Sequence, residues 1–403
     1  MAKVGVVADS FLENGAVYQG GAQLHLLQLA RLAVAHGAEV TVYQAAAADS
    51  RQHYEGLAIV NVEATTGEIW QRGTERALAD GSSHIHYQNL HCPLRRDAAW
   101  VTATCHAVYW DHPYDPEARA WYPHGSIDRF ALPLWRYAER KRAILYLGRC
   151  AEVLATDTSL LRIVQSEAPY LRTRVHVAVN FSDIETADRQ TGDRRDHPEL
   201  SPLIEARAQG QLVVLVPRNL SLDRGGAWLP CIVEETSQRL GGACHFFVTG
   251  QPVDVYGRGK RYLEAFQQGL AAIRSEARRR VSLLSGLPRS AMAGAYLASE
   301  VVLIPTYSHE GSSLAAIEAM MCGRPVVATN VGGLNDIVAD GWTGLLVRPE
   351  VGAIADGIEQ LGKDRVLREE MGEAAAVVAR ARFTLERWQE RVLPFIERNG
   401  WLR

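Results

Sequence analysis

The chain has 403 residues, which is long for a single hydrophobic core and fits two domains. Apolar residues make up 47% and charged residues 22%, as in an ordinary globular protein, and a net charge of −3 excludes the basic excess of general nucleic-acid binders. Six scattered cysteines without a Cys-x-x-Cys pair argue against a zinc site or a disulfide framework and point to reduced thiols in a cytoplasmic protein.

The opening apolar run, residues 4–8, reads as a buried strand. It turns polar at Asp9, too soon for a signal peptide or a membrane span. A loop over 9–21, an amphipathic helix over 22–36 closed by Gly37 and a strand over 39–43 form a Rossmann-like opening. Gly20 and Gly21 stand just before that helix, where absent side chains let the backbone approach a ligand phosphate. Strands follow over 57–62, 83–87 and 99–105, with a helix over 69–79. His106 sits where the last of these strands ends, with His84, His86, His91 and His112 nearby.

Residues 107–130 carry six aromatic residues and four carboxylates. Such a segment suits a sugar or amino-sugar ligand, and equally reads as a packed surface loop. The helix over 134–147 bears Arg136, Arg140, Lys141 and Arg142 around Glu139, a short cluster that reads as a solvated face rather than a membrane-docking one. A strand over 151–155, a helix from 159 and a strand over 175–180 complete the first half. Residues 184–202, polar and without periodicity, read as the linker.

The second half opens with a buried strand over 212–216, running into Pro217-Arg218-Asn219 and then Asp223-Arg224-Gly225-Gly226. A strand over 244–250, a helix over 262–274, a strand over 281–284 with the turn Gly286-Leu287-Pro288, and a helix over 292–298 follow. The stretch 301–347 is the most informative. It reads as strand, polar turn, helix over 312–322 and strand, one βαβ unit, with Ser312 or Ser313 able to cap the helix and Gly323 to end it. Leu314, Ile317, Glu318 and Met321 share one helical face, and a carboxylate on an apolar face needs a partner. Glu310 lies eight residues earlier, at the carboxyl end of the strand, where open parallel sheets bind ligands. Helices over 351–361, 365–382 and 385–397 close the chain.

The run from His309 through Glu310-Gly311-Ser312-Ser313-Leu314 and Glu318 to Thr329 resembles the Glu-x7-Glu motif of retaining GT-B glycosyltransferases of the GT4 type. The resemblance continues through Gly332-Gly333, Asp336, Asp340-Gly341 and Thr343-Gly344. It implies an α/β fold of two Rossmann-like domains facing each other across a cleft. The expected limits are 1–183 for the acceptor domain, 184–202 for the linker and 203–383 for the nucleotide-sugar domain, with 384–403 crossing back to the first domain. It also implies site residues. His106 and Glu310 are expected to contact the transferred sugar, although Ala107 stands where the family often has Asp or Gly. Arg218 and Arg224 are expected to hold the donor diphosphate, with Pro217 in place of a family glycine and Arg224 in place of a lysine. The Gly20-Gly21 loop and Gly311, Ser312, Ser313 and Leu314 at the helix start would support the phosphates, Leu287 would meet the base and Glu318 the ribose hydroxyls.

The implied activity is transfer of a sugar from a nucleoside diphosphate sugar, a UDP-sugar on family frequency, to a small soluble acceptor such as a saccharide or aminoglycoside-type product. Cations at the diphosphate imply no metal and no cofactor beyond the donor itself; nucleic-acid and membrane partners are not expected. A phosphorylase or nucleotide-sugar epimerase on the same fold, or a non-catalytic nucleotide-sugar-binding protein, are the competing readings. Loss of the motif acids would favour the last, and both are present.

Overall fold

A computed structural model describes residues 2–13, 16–17, 20–91, 100–108, 131–182, 184, 197–221, 224–250, 259–284, 286–307 and 309–402. The chain divides into two compact units. Unit 1 comprises Met1–Val108, Tyr137–Asn180 and Glu386–Arg403, and unit 2 comprises Tyr109–Arg136 and Phe181–Leu385.

In chain order the first half forms β1 (Lys3–Ala8), β2 (Leu12–Glu13), β3 (Ala16–Val17), α1 (Gly21–Ala35), β4 (Glu39–Ala46), β5 (Ser50–Tyr54), β6 (Leu57–Glu63), α2 (Ile69–Ala79), β7 (His84–Tyr87) and β8 (Trp100–Cys105). It continues with α3 (Ala131–Arg149), β9 (Glu152–Ala155), α4 (Ser159–Glu167) and β10 (Val175–Val177). The large sheet of unit 1 has the order β10-β9-β8-β7-β1-β4-β6-β5, parallel except for the edge strand β5. Strand order reverses between β1 and β7, so a crevice belongs at their carboxyl ends, at Asp9 and Gln88.

Unit 2 forms α5 (Ser201–Ala208), β11 (Leu212–Val216), α6 (Leu229–Arg239), β12 (Cys244–Val248), α7 (Gly259–Ala272), α8 (Ser275–Arg278), β13 (Val281–Leu283), α9 (Arg289–Ala298), β14 (Val301–Ile304) and α10 (Leu314–Met321). After these come β15 (Val326–Thr329), α11 (Leu334–Ile337), β16 (Gly344–Val347), α12 (Val351–Lys363) and α13 (Arg365–Arg382). Its six strands are all parallel in the order β13-β12-β11-β14-β15-β16, the doubly wound arrangement with its reversal between β11 and β14. Both central strands, Leu-Val-Val-Leu-Val and Val-Val-Leu-Ile, are buried at every residue. Helices cover both faces of such a sheet, so the strands read as unbroken apolar runs.

The last helix, α14 (Leu385–Arg398), belongs to unit 1 from Glu386 onward. Trp388, Val392, Phe395 and Ile396 form its buried face. Arg398 grips Glu152 through two bonds of 3.1 Å, and Trp100 Nε1 donates to Asn399 Oδ1 at 3.0 Å. Trp401 is fully buried against His86.

Three elements differ from expectation. The stretch 184–202 contains ordered structure: a 3-10 turn (Pro198–Leu200) leads into α5, whose Pro202 is tolerated in the first helical turn while Leu203 and Ala206 are buried. Residues 185–196 of that stretch lie outside the described residues, as does the aromatic-rich segment from 109 to 130. The hairpin strand β5 is polar and mostly exposed, so no apolar alternation marks it; Glu55 and Gly56, with φ of +48° and +84°, make its tight turn. Helix α6 opens with Leu229-Pro230, a residue pair that resembles a loop in isolation. Among the described residues, no helix is long and apolar enough to cross a membrane.

Unit 1 buries His25 and His86, and half-buries His106. Burial lowers His25 to about 4 and His86 to about 3, and pushes His106 well below the usual imidazole range. All three are therefore neutral in the fold and protonate more readily in the unfolded chain. Their contribution to stability is present above the unfolded value of 6.5 and is lost as pH falls toward the folded values. Urea unfolding at pH 7 and pH 5.5 should show a loss of about 1 kcal/mol per histidine, roughly 2–4 kcal/mol together. His86→Gln should flatten that dependence by about one histidine's share; a stability independent of pH over this interval would contradict the assignment.

Candidate active site

The carboxyl ends of β11 and β14 place Arg218 and Glu310 at the point where the strand order of unit 2 reverses. Both side chains are nearly buried, at 9% and 12% exposure. They form a two-point ion pair: Arg218 Nη1 donates to Glu310 Oε1 at 3.2 Å, and Nη2 donates to Oε2. The fork geometry of guanidinium and carboxylate makes such pairs both strong and directional. Thr306 Oγ1 donates to Glu310 Oε2 at 3.0 Å and accepts from Arg218 Nη2 at 3.4 Å. Arg218 Nη1 also reaches Ser313 Oγ at 3.3 Å.

Backbone packing holds this cluster in place. Gly225 has φ of +81°, and a Cβ there would lie 1.9 Å from the Pro305 carbonyl oxygen. Gly332, with φ of +51°, would put a Cβ 2.1 Å from the Glu310 carbonyl oxygen. Only glycine allows these three loops to meet. Gly333 N–H then donates to Glu310 O at 2.8 Å, and Thr329 Oγ1 to Thr306 O at 2.6 Å.

Ser313 is the N-cap of α10 by position, yet its side chain makes no bond to the helix. Its hydroxyl serves Arg218 instead, and the first-turn N–H groups around Leu314 lack a side-chain cap. Ser312 is buried beside it, and Gly311 and Leu314 are half-buried. A helix start of this kind, next to a cation, suits an anion.

Glu318 is buried on the inner face of α10, and its partners are protein groups. Tyr296 OH donates to Oε2 at 2.8 Å, and Arg289 Nη2 lies 2.8 Å from Oε1. Burial and the Glu318 charge together raise the Tyr296 phenol well above its usual value, so it stays a donor. The partner demanded by a carboxylate on an apolar face is thus found inside unit 2, before any ligand is considered. Leu287 is half-buried in the turn before α9, two residues from Arg289. Arg224 is half-buried in the turn before α6 and forms no ion pair among the described residues.

In unit 1, Gly20 is the N-cap of α1 and Gly21 its first, exposed residue; no side chain caps this fifteen-residue helix. His106 follows β8 and meets His25 of α1 edge-on, with ring centroids 5.2 Å apart. His25 Nδ1 bonds Asn180 Oδ1 at 2.8 Å, and its ring packs edge-on against Trp388 at 5.1 Å. His84 and His86 alternate along β7, where His86 lies between Thr102 and Thr104, at 2.9 and 3.0 Å. His91 stacks on Trp70, and His112 lies outside the described residues. Sequence reasoning did not single out Thr306, Arg289, Tyr296 or His25. The one available signal was His25, a polar residue that, with Gln23 and Gln28, stands among the buried leucines and alanines of its helix.

Two doubly wound α/β units, with a terminal helix returned to the first, define the GT-B glycosyltransferase fold. Residues 257–378 match the family model of Glycosyl transferases group 1; Arg218 and His106 lie outside the match. The D-inositol 3-phosphate glycosyltransferase of Arthrobacter sp. (strain FB24) is 43% identical over 114 residues, 26% of this chain and 27% of that one. The chain therefore spans about a quarter of the length of the curated relatives it matches. Among solved structures, sucrose-phosphate synthase from Thermosynechococcus elongatus superposes with a TM-score of 0.71 at 16% identity, over 99% of both chains. Anabaena Alr3699/HepE in complex with UDP and glucose gives 0.69 at 16% identity, over 99% of this chain and 100% of that one.

Substitutions at the ion pair should separate its two halves. Arg218→Ala strands a buried carboxylate and should destabilise unit 2 by about 3 kcal/mol or more. The same change should weaken nucleoside diphosphate binding at least tenfold, about 1.4 kcal/mol. Glu310→Gln keeps the shape and frees the cation, so calorimetry should give nucleotide affinity equal to or tighter than the parent. Loss of affinity in Glu310→Gln as large as that in Arg218→Ala would contradict this division.

Proposed function

We propose that the protein is a retaining glycosyltransferase that moves a sugar from a nucleoside diphosphate sugar, a UDP-sugar by preference, to a small soluble acceptor. The observation that carries this reading is the Arg218–Glu310–Thr306–Ser313 cluster at the switch point of unit 2, beside an uncapped helix start. The domain match, and structural neighbours of which one holds UDP and glucose, support the class of reaction and donor.

The leaving group is a nucleoside diphosphate, so bond breaking builds negative charge on phosphate oxygen. Arg218 can turn its guanidinium from Glu310 to that oxygen, with Arg224 adding a second cation and the first turn of α10 adding N–H donors. Glu310, released, accepts hydroxyls of the transferred sugar as positive charge develops on its ring. Glu318, held by Tyr296 and Arg289, accepts the ribose hydroxyls, and Leu287 meets the base from the neighbouring turn. Two arginines supply the charge a metal would otherwise supply, so transfer proceeds without added divalent ion. Scattered cysteines without a Cys-x-x-Cys pair support a cytoplasmic reading.

A panel of UDP-, GDP- and ADP-sugars screened by thermal shift tests the donor assignment, because a ligand that binds the folded state stabilises it by mass action. A UDP-sugar should raise the melting temperature most, and stabilisation should survive EDTA. Absence of a shift with every nucleotide sugar, or a shift abolished by EDTA, would contradict the proposal.

A further inference from the structure

A cavity of about 500 Å³ lies at the amino ends of β14 and β15, at the opposite end of the unit 2 sheet from the Arg218–Glu310 pair. Glu300 precedes β14 and Arg324-Pro325 precede β15, whereas Arg218 and Glu310 follow the carboxyl ends of β11 and β14. Helix α13 forms one wall; the ends of α9 and α10, with Arg207 of α5, form the rest. A cavity of this size lies in the range of ordinary small-ligand pockets.

Arginine dominates the lining. Arg207 comes from α5, Arg324 from the turn after α10, and Arg368 and Arg380 from α13. Of the three glutamates there, Glu300 is matched by Arg368 at 3.4 Å and Glu369 by Arg365 at 2.7 Å. Within the lining, Arg207, Arg324 and Arg380 then stand against Glu373 alone, an excess of positive charge in a chain whose net charge is −3. Arg207 Nη1 donates to the Leu297 carbonyl at 3.0 Å, and Arg380 is exposed and forms no ion pair among the described residues. Carbonyls at the end of α10 do not compete for these cations. Glu318 O, Ala319 O and Met320 O already accept the N–H groups of Cys322, Arg324 and Gly323, at 3.0, 2.9 and 2.9 Å. Leu297, Pro325 and Val377 add an apolar wall, and Val377 is 64% exposed.

We propose that this cavity is a second ligand site, separate from the donor site, and that it takes a small phosphomonoester bearing hydroxyl groups, of the size of a hexose phosphate. Guanidinium forks match phosphate oxygens in geometry as well as charge, so Arg207 and Arg380 hold the dianion. Glu373 accepts a hydroxyl, and the apolar wall backs the carbon skeleton. The inference stands apart from the transferase reading, because none of these residues belongs to the Arg218–Glu310 cluster.

Calorimetry on the full chain tests this, with UDP at saturation to occupy a diphosphate site in unit 2. Glucose 6-phosphate, inorganic phosphate and glucose are titrated separately. Glucose 6-phosphate should bind, inorganic phosphate should bind roughly tenfold more weakly, and glucose should give no binding heat. Arg207→Gln and Arg380→Gln should each weaken glucose 6-phosphate by roughly tenfold and leave the UDP affinity unchanged. The exposed position of Arg380 predicts an unchanged melting temperature for ligand-free Arg380→Gln, which separates lost binding from lost folding. Absent binding of glucose 6-phosphate, glucose binding of equal strength, or an affinity untouched by both substitutions, the mark of a phosphate held elsewhere, would overturn the inference. Inorganic phosphate binding as tightly as glucose 6-phosphate would assign the cavity to free phosphate and overturn the hydroxyl-bearing ligand. A protein that binds no UDP, yet loses glucose 6-phosphate in Arg380→Gln, would instead sink the transferase reading and leave this site standing.

Discussion

A guanidinium and a carboxylate, both almost withdrawn from water, face each other at the carboxyl ends of two neighbouring parallel strands. The Arg218–Glu310 pair depends on everything around it. The strands β11 and β14 set its spacing, Thr306 and Ser313 take up its remaining bonds, and glycines at 225 and 332 admit the backbones that frame it. Desolvating two charges is expensive, and a buried pair is seldom retained for stability alone. A pair that exchanges partners, phosphate for one member and sugar hydroxyls for the other, gives the protein a reason to keep it. In that view each group stands in for the ligand of the other until the donor arrives.

Much of this was legible in the chain itself. The apolar runs at β1, β11 and β14 announced parallel strands buried on both sides, and the turn and helix after β14 declared the position of Glu310 at a strand end. The last helix, read over 385–397, runs over Leu385–Arg398. What stayed hidden was the identity of partners. Arg218 and Glu310 are 92 residues apart, and nothing local to either shows that they touch. Glu318 advertised the need for a partner, but Tyr296 and Arg289 come from the preceding helix, whose register against α10 is a tertiary matter. The polar edge strand β5 and the proline-headed α6 carried no periodic signal strong enough to separate them from loops.

The two units solve different electrostatic problems with the same architecture. Unit 2 gathers cations and helix N–H groups at its switch point, a setting for an anionic leaving group. Unit 1 gathers neutral imidazoles, an amide and a carboxylate at the equivalent place. The return of α14 ties into this second setting directly, because Trp388 packs on His25 and Trp401 on His86. Burial under that helix is what keeps the imidazoles uncharged and makes the fold of unit 1 sensitive to acid.

The central claim, that the ion pair is a placeholder for the donor, is tested most directly by a crystal structure with UDP bound. The account predicts that the Arg218 guanidinium leaves Glu310 and bonds a diphosphate oxygen, with Glu310 turned toward the space of the transferred sugar. UDP bound with the Arg218–Glu310 pair unbroken, or bound away from both residues, would contradict it.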